Sequence, residues 1–211
     1  MKKIISFSLW GSNLRYCGGA IVNAQLAQIH YPDWECWFYY DETVPKIYIN
    51  SLNNFKNVRT ILVDDGTFGA FWRFRAMQKD TIVISRDTDS RLSEREKRIV
   101  DEWLATDKKL SVIRDHVAHY DFPILAGMWG FRGGLSNEDI ISMASYTMDT
   151  YYTVDQVFLH RVIWPEYNNN MHVVGLKETP WLAETYQSIG RHFVGQAYDE
   201  ADRSLYNPEQ F

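Results

Sequence analysis

The chain has 211 residues, 45% hydrophobic and 23% charged, enough to bury a sizeable core without covalent staples. A net charge of −5, with no Lys/Arg run longer than two, excludes a nucleic-acid footprint. Two cysteines, Cys17 and Cys36, make neither a disulfide framework nor a Cys-rich metal site, and no apolar run is long enough to span a bilayer, so membrane insertion is not expected.

Residues 3–10 read as a first strand and not as a secretion signal, because the apolar stretch is short, holds two serines and lacks a small-residue cleavage site. Short apolar or aromatic runs with polar ends predict further strands at 35–41, 58–64 and 81–85. Between them, residues 18–30 carry Ile21, Val22, Leu26 and Ile29 at helical spacing, and 45–54 and 69–78 predict shorter helices. Strands separated by helices of this size imply βαβ units and a mostly parallel sheet. Ser93, followed three residues later by Glu96, has the capping-box form, and Ile99, Val100, Trp103 and Leu104 mark the buried face of the helix it starts. Strands follow at 110–114 and 123–129, then helices at 136–148 and 154–162, the second stopped by Pro165, and a short strand at 171–174. The polar tail after Gly195 predicts a docking arm. No repeat or linker divides the chain, so one domain over residues 1–211 is expected, its first half binding nucleotide and its second half the acceptor. An end without a terminal signal suits one domain of a longer protein.

Asp87 and Asp89 lie just past the apolar run Thr81-Ile82-Val83-Ile84, and open α/β sheets bind ligands outside the carboxyl ends of their strands. Two carboxylates spaced i, i+2 in an extended turn face one cation, and hard oxygen ligands suit Mg²⁺ or Mn²⁺ bridging a diphosphate. A D-x-D turn is otherwise a pair of solvated aspartates capping the next helix; the strand-end position, the flanking Arg86 and Arg91 and the capped helix that follows favour a functional site.

The run Ser85-Arg86-Asp87-Thr88-Asp89-Ser90-Arg91-Leu92, with Glu102-Trp103-Leu104, Ile113-Arg114-Asp115-His116, Gly127-Met128-Trp129-Gly130, Asp155-Gln156 and Phe193-Val194-Gly195-Gln196, resembles GT-A-fold glycosyltransferases of bacteria and of large DNA viruses of algae. The resemblance covers nearly the whole chain and is closest to the amino-terminal glycosyltransferase domain of a chlorella-virus enzyme that decorates the capsid glycan. It implies an α/β, GT-A-like (Rossmann-like) fold with a mixed, mostly parallel sheet flanked by helices. It also implies a UDP-sugar donor, a glycan or glycoprotein acceptor, and Mn²⁺ or Mg²⁺ on Asp87 and Asp89. A reducing cytoplasm, that of a host cell if the chain is viral, is the setting expected. Where many relatives have two glycines, this chain has Ala126-Gly127, and the extra methyl is expected to narrow the site slightly.

The remaining candidates divide between chemistry and structure. His172, in Met171-His172-Val173-Val174-Gly175 ahead of Lys177 and Pro180-Trp181, resembles a late-strand metal ligand, with Lys177 on the diphosphate; a surface histidine fits the pattern nearly as well, and His192 is the reserve. Asp115 is the expected partner of donor-sugar hydroxyls, preferred to a zinc site on His116 and His119. Asp155 is either a plain helix-start carboxylate or the group that deprotonates the acceptor or stabilises a cationic transition state. Arg73, among Phe71, Trp72 and Phe74, either snorkels from the core or pairs with nucleotide or aspartate. Thr88 belongs to the same turn as the aspartates, and Ser8, Leu9 and Trp10, ending the first strand, are candidates for the uridine pocket. The rivals are a metal-dependent phosphohydrolase using Asp87, Asp89, His116 and His119, and a non-catalytic module that stacks sugars on its aromatics.

Overall fold

A computed structural model describes residues 1–188 and 192–206. Seven strands form one sheet in the order β3-β2-β1-β4-β6-β5-β7. They are β1 (Lys2–Leu9), β2 (Glu35–Tyr40), β3 (Val58–Leu62), β4 (Thr81–Arg86), β5 (Leu110–Arg114), β6 (Trp129–Arg132) and β7 (Met171–Gly175). The β3-β2-β1-β4 half is parallel, β6 runs antiparallel between β4 and β5, and β7 pairs parallel with β5 at the edge. All strands but β6 therefore end at the same rim, where β6 begins.

Alternation along the buried strands sends side chains to two layers. Ile5, Phe7, Cys36, Phe38 and Ile84 face α1 (Leu14–His30), α2 (Lys46–Leu52) and α3 (Glu94–Leu104), with Trp103 deep in that layer. Ile4, Trp37, Val83, Trp129 and Phe131 pack on Phe71, Phe74 and Phe158 from the other side. A smaller cluster of Ile99, Ile113, Met128, Val174, Leu182 and Val194 lies under α7 (Pro180–Ser188) and the carboxyl-terminal segment.

Several boundaries differ from the sequence expectation. The first helix begins four residues earlier than expected, because Asn13 Oδ1 accepts the Arg15 amide and caps it. Residues 69–76 form a 3-10 helix. The strand expected at 123–129 is a loop whose Ile124 and Ala126 fill the core, and pairing starts only at Trp129; a short apolar run carries no period that separates the two. The helix α4 (Asn137–Tyr146) carries the full capping box of Ser136 and Asp139. Pro165 does not stop the next helix: α5 (Val154–Phe158) passes through a π turn, Leu159–Ile163, into α6 (Trp164–Tyr167), with Pro165 just past the π turn, where the i→i−4 ladder is already interrupted. No helix among the described residues is long and apolar enough to cross a membrane.

Candidate active site

A cleft of about 650 Å³ opens at the carboxyl rim of β1 and β4, bounded by the amino end of β6, the start of α1 and the start of α5. That volume is in the range of small-molecule sites. The turn after β4 enters it. Ser90 closes the turn by donating its N–H and Oγ–H to the Asp87 carbonyl. The buried Asn23 on α1 staples it down, its amide donating to the Thr88 and Ser90 carbonyls while its oxygen accepts the Leu92 N–H. Gly19 permits the approach, since a Cβ there would collide with the Thr88 carbonyl. Thr88 is itself buried and presents the turn to the cleft wall.

The two aspartates face the cleft differently. The Asp87 side chain is 48% exposed and pairs with Arg73, whereas Asp89 is largely buried and pairs with Arg15. Burial and then the neighbouring Asp87 charge raise the Asp89 carboxyl above the usual range, against the pull of Arg15. Gly127, opening the β6 approach, lies against Asp87: a Cβ there would sit 2.6 Å from the carboxylate carbon. The neighbouring Ala126 puts its methyl in the core and gives its carbonyl to the Ser85 hydroxyl, so the glycine that matters for room is Gly127.

Arg73 joins the aspartate turn to α5. Its backbone is read by β1, where Ser6 donates to its carbonyl at 2.6 Å and Ser8 accepts its amide at 2.9 Å. Its guanidinium then bridges Asp87 and, at 2.8 Å, Asp155 Oδ2. Although burial opposes the charge, the two carboxylates hold Arg73 protonated. Asp155 also accepts the Gln156 amide, and burial raises its carboxyl despite Arg73. Leu9 contributes backbone to the cleft and its side chain to the core, while the half-exposed Trp10 leans on Phe68 and Trp72 over Gly69. Ser8, Leu9, Trp10, Arg73, Asp87, Thr88, Asp89 and Asp155 thus meet around one cleft.

Five expected participants lie elsewhere. His172 pairs in register with Ser111 near the start of β7 and senses Glu102, three strands across from β4, roughly 14 Å at ordinary strand spacing. Lys177 rests over the Tyr120 ring at 4.3 Å. Asp115 is fully buried and gripped by Arg95 at 2.6 and 2.7 Å and by the Val194 amide at 3.0 Å, so it ties the carboxyl-terminal segment to β5. Arg86 turns into the helix layer, where its Nε meets Glu96 at 2.8 Å. His192 is exposed and its Nδ1 lies 3.1 Å from Gln196. His119 does line the cleft; burial, reinforced by His116, pushes its imidazole down to about 3. His116 stacks on Phe193 at 4.3 Å.

Sequence reading missed Asn13, Arg15, Tyr16, Gly19 and Asn23, all on or beside α1. The Asn13 cap was the one local signal available for them. The described part of the tail, expected as a docking arm, packs on the chain itself: the Tyr198 amide donates to the Asp89 carbonyl at 2.9 Å, Arg91 pairs with Asp202, and Gly195 and Ala197 line the cleft.

Asp87 and Asp89 supply the hard oxygen donors that a Mg²⁺ or Mn²⁺ ion takes. The cleft sets three carboxylates against two guanidinium groups, Arg15 and Arg73. Among the described residues no three His, Cys, Asp or Glu side chains are grouped so as to hold one metal ion, so a cation on two carboxylates would complete its shell with phosphate oxygens and water, as small hard dications favour.

No family model and no curated protein matches the chain. Solved structures share its fold. The 4-diphosphocytidyl-2C-methyl-D-erythritol synthase of Anaerococcus prevotii superposes with TM-score 0.54 at 12% identity, over 82% of this chain and 88% of that one. S. aureus TarS 1–349, in complex with UDP, gives 0.53 at 13% identity, over 83% and 58%. The galactosyltransferase LgtC, with donor and acceptor sugar analogues, gives 0.48 at 14% identity, over 83% and 74%. The fold is the GT-A-like, Rossmann-like α/β sheet.

Proposed function

We propose that this chain is a glycosyltransferase that moves a sugar from a UDP-sugar to a glycan or glycoprotein acceptor, with Mn²⁺ or Mg²⁺ held by Asp87 and Asp89. The observation that carries the reading is the convergence of Asp87, Asp89, Arg73 and Asp155 in one cleft at the carboxyl rim of the parallel strands. A chain of the same fold holding UDP supports a uridine nucleotide, and the motif resemblance supports sugar transfer and a place beside the chlorella-virus capsid-glycan enzymes, working in a cytoplasm.

When bound, the cation would neutralise the diphosphate as it leaves, acting as a Lewis acid. The protein's own part is positional and electrostatic. The floor of the cleft at Ser8 and Leu9, with Trp10 at its edge, receives the nucleoside. Arg73, locked to β1 through its backbone and charged throughout, fixes the distance between the cation-binding turn and α5. Asp155, desolvated beside Arg73, faces the reacting sugar, where a carboxylate stabilises positive charge at the anomeric carbon or takes the acceptor proton. Asp115 has no such role in this reading, because it does not line the cleft and ties Arg95 to the Val194 amide instead.

Calorimetry of UDP with and without Mn²⁺ tests the reading. Binding should require the cation, since the unneutralised carboxylates repel a diphosphate, and Asp89→Asn should abolish Mn²⁺-dependent binding while staying folded. Equal UDP affinity with and without Mn²⁺, or a parent-like Asp89→Asn, would reduce the aspartate pair to a turn.

A further inference from the structure

The loop between α4 and α5 carries a combination that core packing does not explain. Tyr152 lines the cleft and is 92% exposed. Thr153, the next residue, is a β-branched residue in the left-handed region at φ 76°, ψ 6°, and its side chain makes no capping bond. Such a backbone is rare for a β-branched residue and persists only where the surroundings hold it. Here the holding groups are the Tyr151 carbonyl, which accepts the Val154 amide, and the Thr153 carbonyl, which accepts the Val157 amide. Two residues past Thr153, Asp155 is buried on Arg73. The strained residue therefore separates a carboxylate anchored in the site from a phenol ring raised into the mouth of the same cleft. Beyond Thr153 the chain is rigid, since Val154 and Phe158 are fully buried and the π turn follows.

From this placement we propose that Tyr152 is the platform on which the acceptor's sugar ring stacks, with left-handed Thr153 as the positioning residue that aims it. This deepens the glycosyltransferase reading and rests on it. The chemistry of the partner follows from the site. An aromatic face in water with one hydroxyl at its tip suits the C–H-rich face of a neutral pyranose, which gains from stacking without needing a charge. In the glycosyltransferase reading the nucleoside takes the end of β1 and the diphosphate the aspartate turn, and Tyr152 lines the same cleft as Asp155. The chain neighbours Tyr151 and Met148 are also exposed, which suits an acceptor longer than one sugar.

The test uses the whole chain with Mg²⁺ and UDP, and as probes the methyl α- and β-pyranosides of glucose, galactose, mannose and rhamnose, read by saturation-transfer NMR. At least one pyranoside should receive saturation from the parent. Tyr152→Ala should weaken that pyranoside at least fivefold, and Tyr152→Phe, which keeps the ring, should stay within twofold of the parent. The melting temperature of the exposed-site variants should not move, which separates stacking from a structural effect. A parent that binds Mg²⁺–UDP but none of the pyranosides, or a Tyr152→Ala variant that binds them like the parent, overturns the platform. If the parent ignores UDP yet loses pyranoside binding in Tyr152→Ala, the platform stands as a sugar site and the transferase reading falls.

Discussion

Replacing Gly127 by alanine tests whether the cleft depends on the position of Asp87. A Cβ at residue 127 would overlap the nearer Asp87 carboxylate oxygen and lie 2.6 Å from the carboxylate carbon, where ordinary contact begins near 3.4 Å, so the carboxylate must retreat by well over 0.8 Å. It has somewhere to go, because its side chain is half exposed. Folding should therefore survive. Gly127 does not need a left-handed backbone, so alanine there gains ~0.4–1 kcal/mol by restricting the unfolded chain. Weakening the Arg73–Asp87 pair costs about as much, since Arg73 keeps Asp155. The net change should stay within about 1 kcal/mol, or roughly 2–4 °C in melting temperature for a chain of this size. Function should suffer far more, because a displacement of about 1 Å at a reacting centre costs on the order of 10²-fold. Mn²⁺–UDP affinity by calorimetry, turnover of the donor and a thermal melt measure the three quantities. In an Asp87→Ala background the added alanine should do almost nothing further, since both changes act through one carboxylate. Parent-like affinity in Gly127→Ala, or full additivity in the double variant, would refute the placement of Asp87 as a cation ligand.

Asp115→Ala should lower the melting temperature by roughly 6–12 °C, from about 3 kcal/mol for stranding Arg95, which also donates to the Thr185 hydroxyl and the Leu182 carbonyl and lies over the Trp181 ring; an unchanged melt would mean that the pair does not brace the carboxyl-terminal segment. His119, held down near 3 by burial, stays neutral in the fold but takes up a proton on unfolding below its ordinary 6.5, so stability is lost as pH falls through that window. At pH 5 the loss amounts to about 2 kcal/mol, and His119→Gln should melt with an acid limb shallower than the parent's by roughly 4–8 °C; superimposable pH profiles would count against a buried neutral imidazole. Asp155→Asn should keep Mn²⁺–UDP binding and lose on the order of 10²-fold or more in transfer, and full transfer activity would leave Asp155 as a helix-start carboxylate.

The strand and helix alternation, the strand-end aspartates and the Ser93 cap were legible in the sequence because each is local: periodicity and capping act over one element, and a D-x-D turn spans three residues. What the aspartates do was decided by partners far away in the chain. Arg15 lies 74 residues from Asp89, and Arg73 lies 82 from Asp155. No short-range pattern encodes those distances, since only the packing of α1, the 3-10 helix and α5 at one rim creates them. Local likeness also misled where strand order intervened. His172 sits in a fitting His-x-x-Gly pattern, but β7 pairs at the sheet edge outside β5, which carries the histidine away from the turn. Asp115 follows a strand just as Asp87 does, yet Arg95 on α3 turns it inward, whereas Gly127 leaves Asp87 room to face the cleft. The residue types and their spacing set two carboxylates at a strand end; the tertiary structure decided which carboxylates face the cleft and which are buried away from it, because a buried charge goes first to whatever countercharge the fold sets beside it.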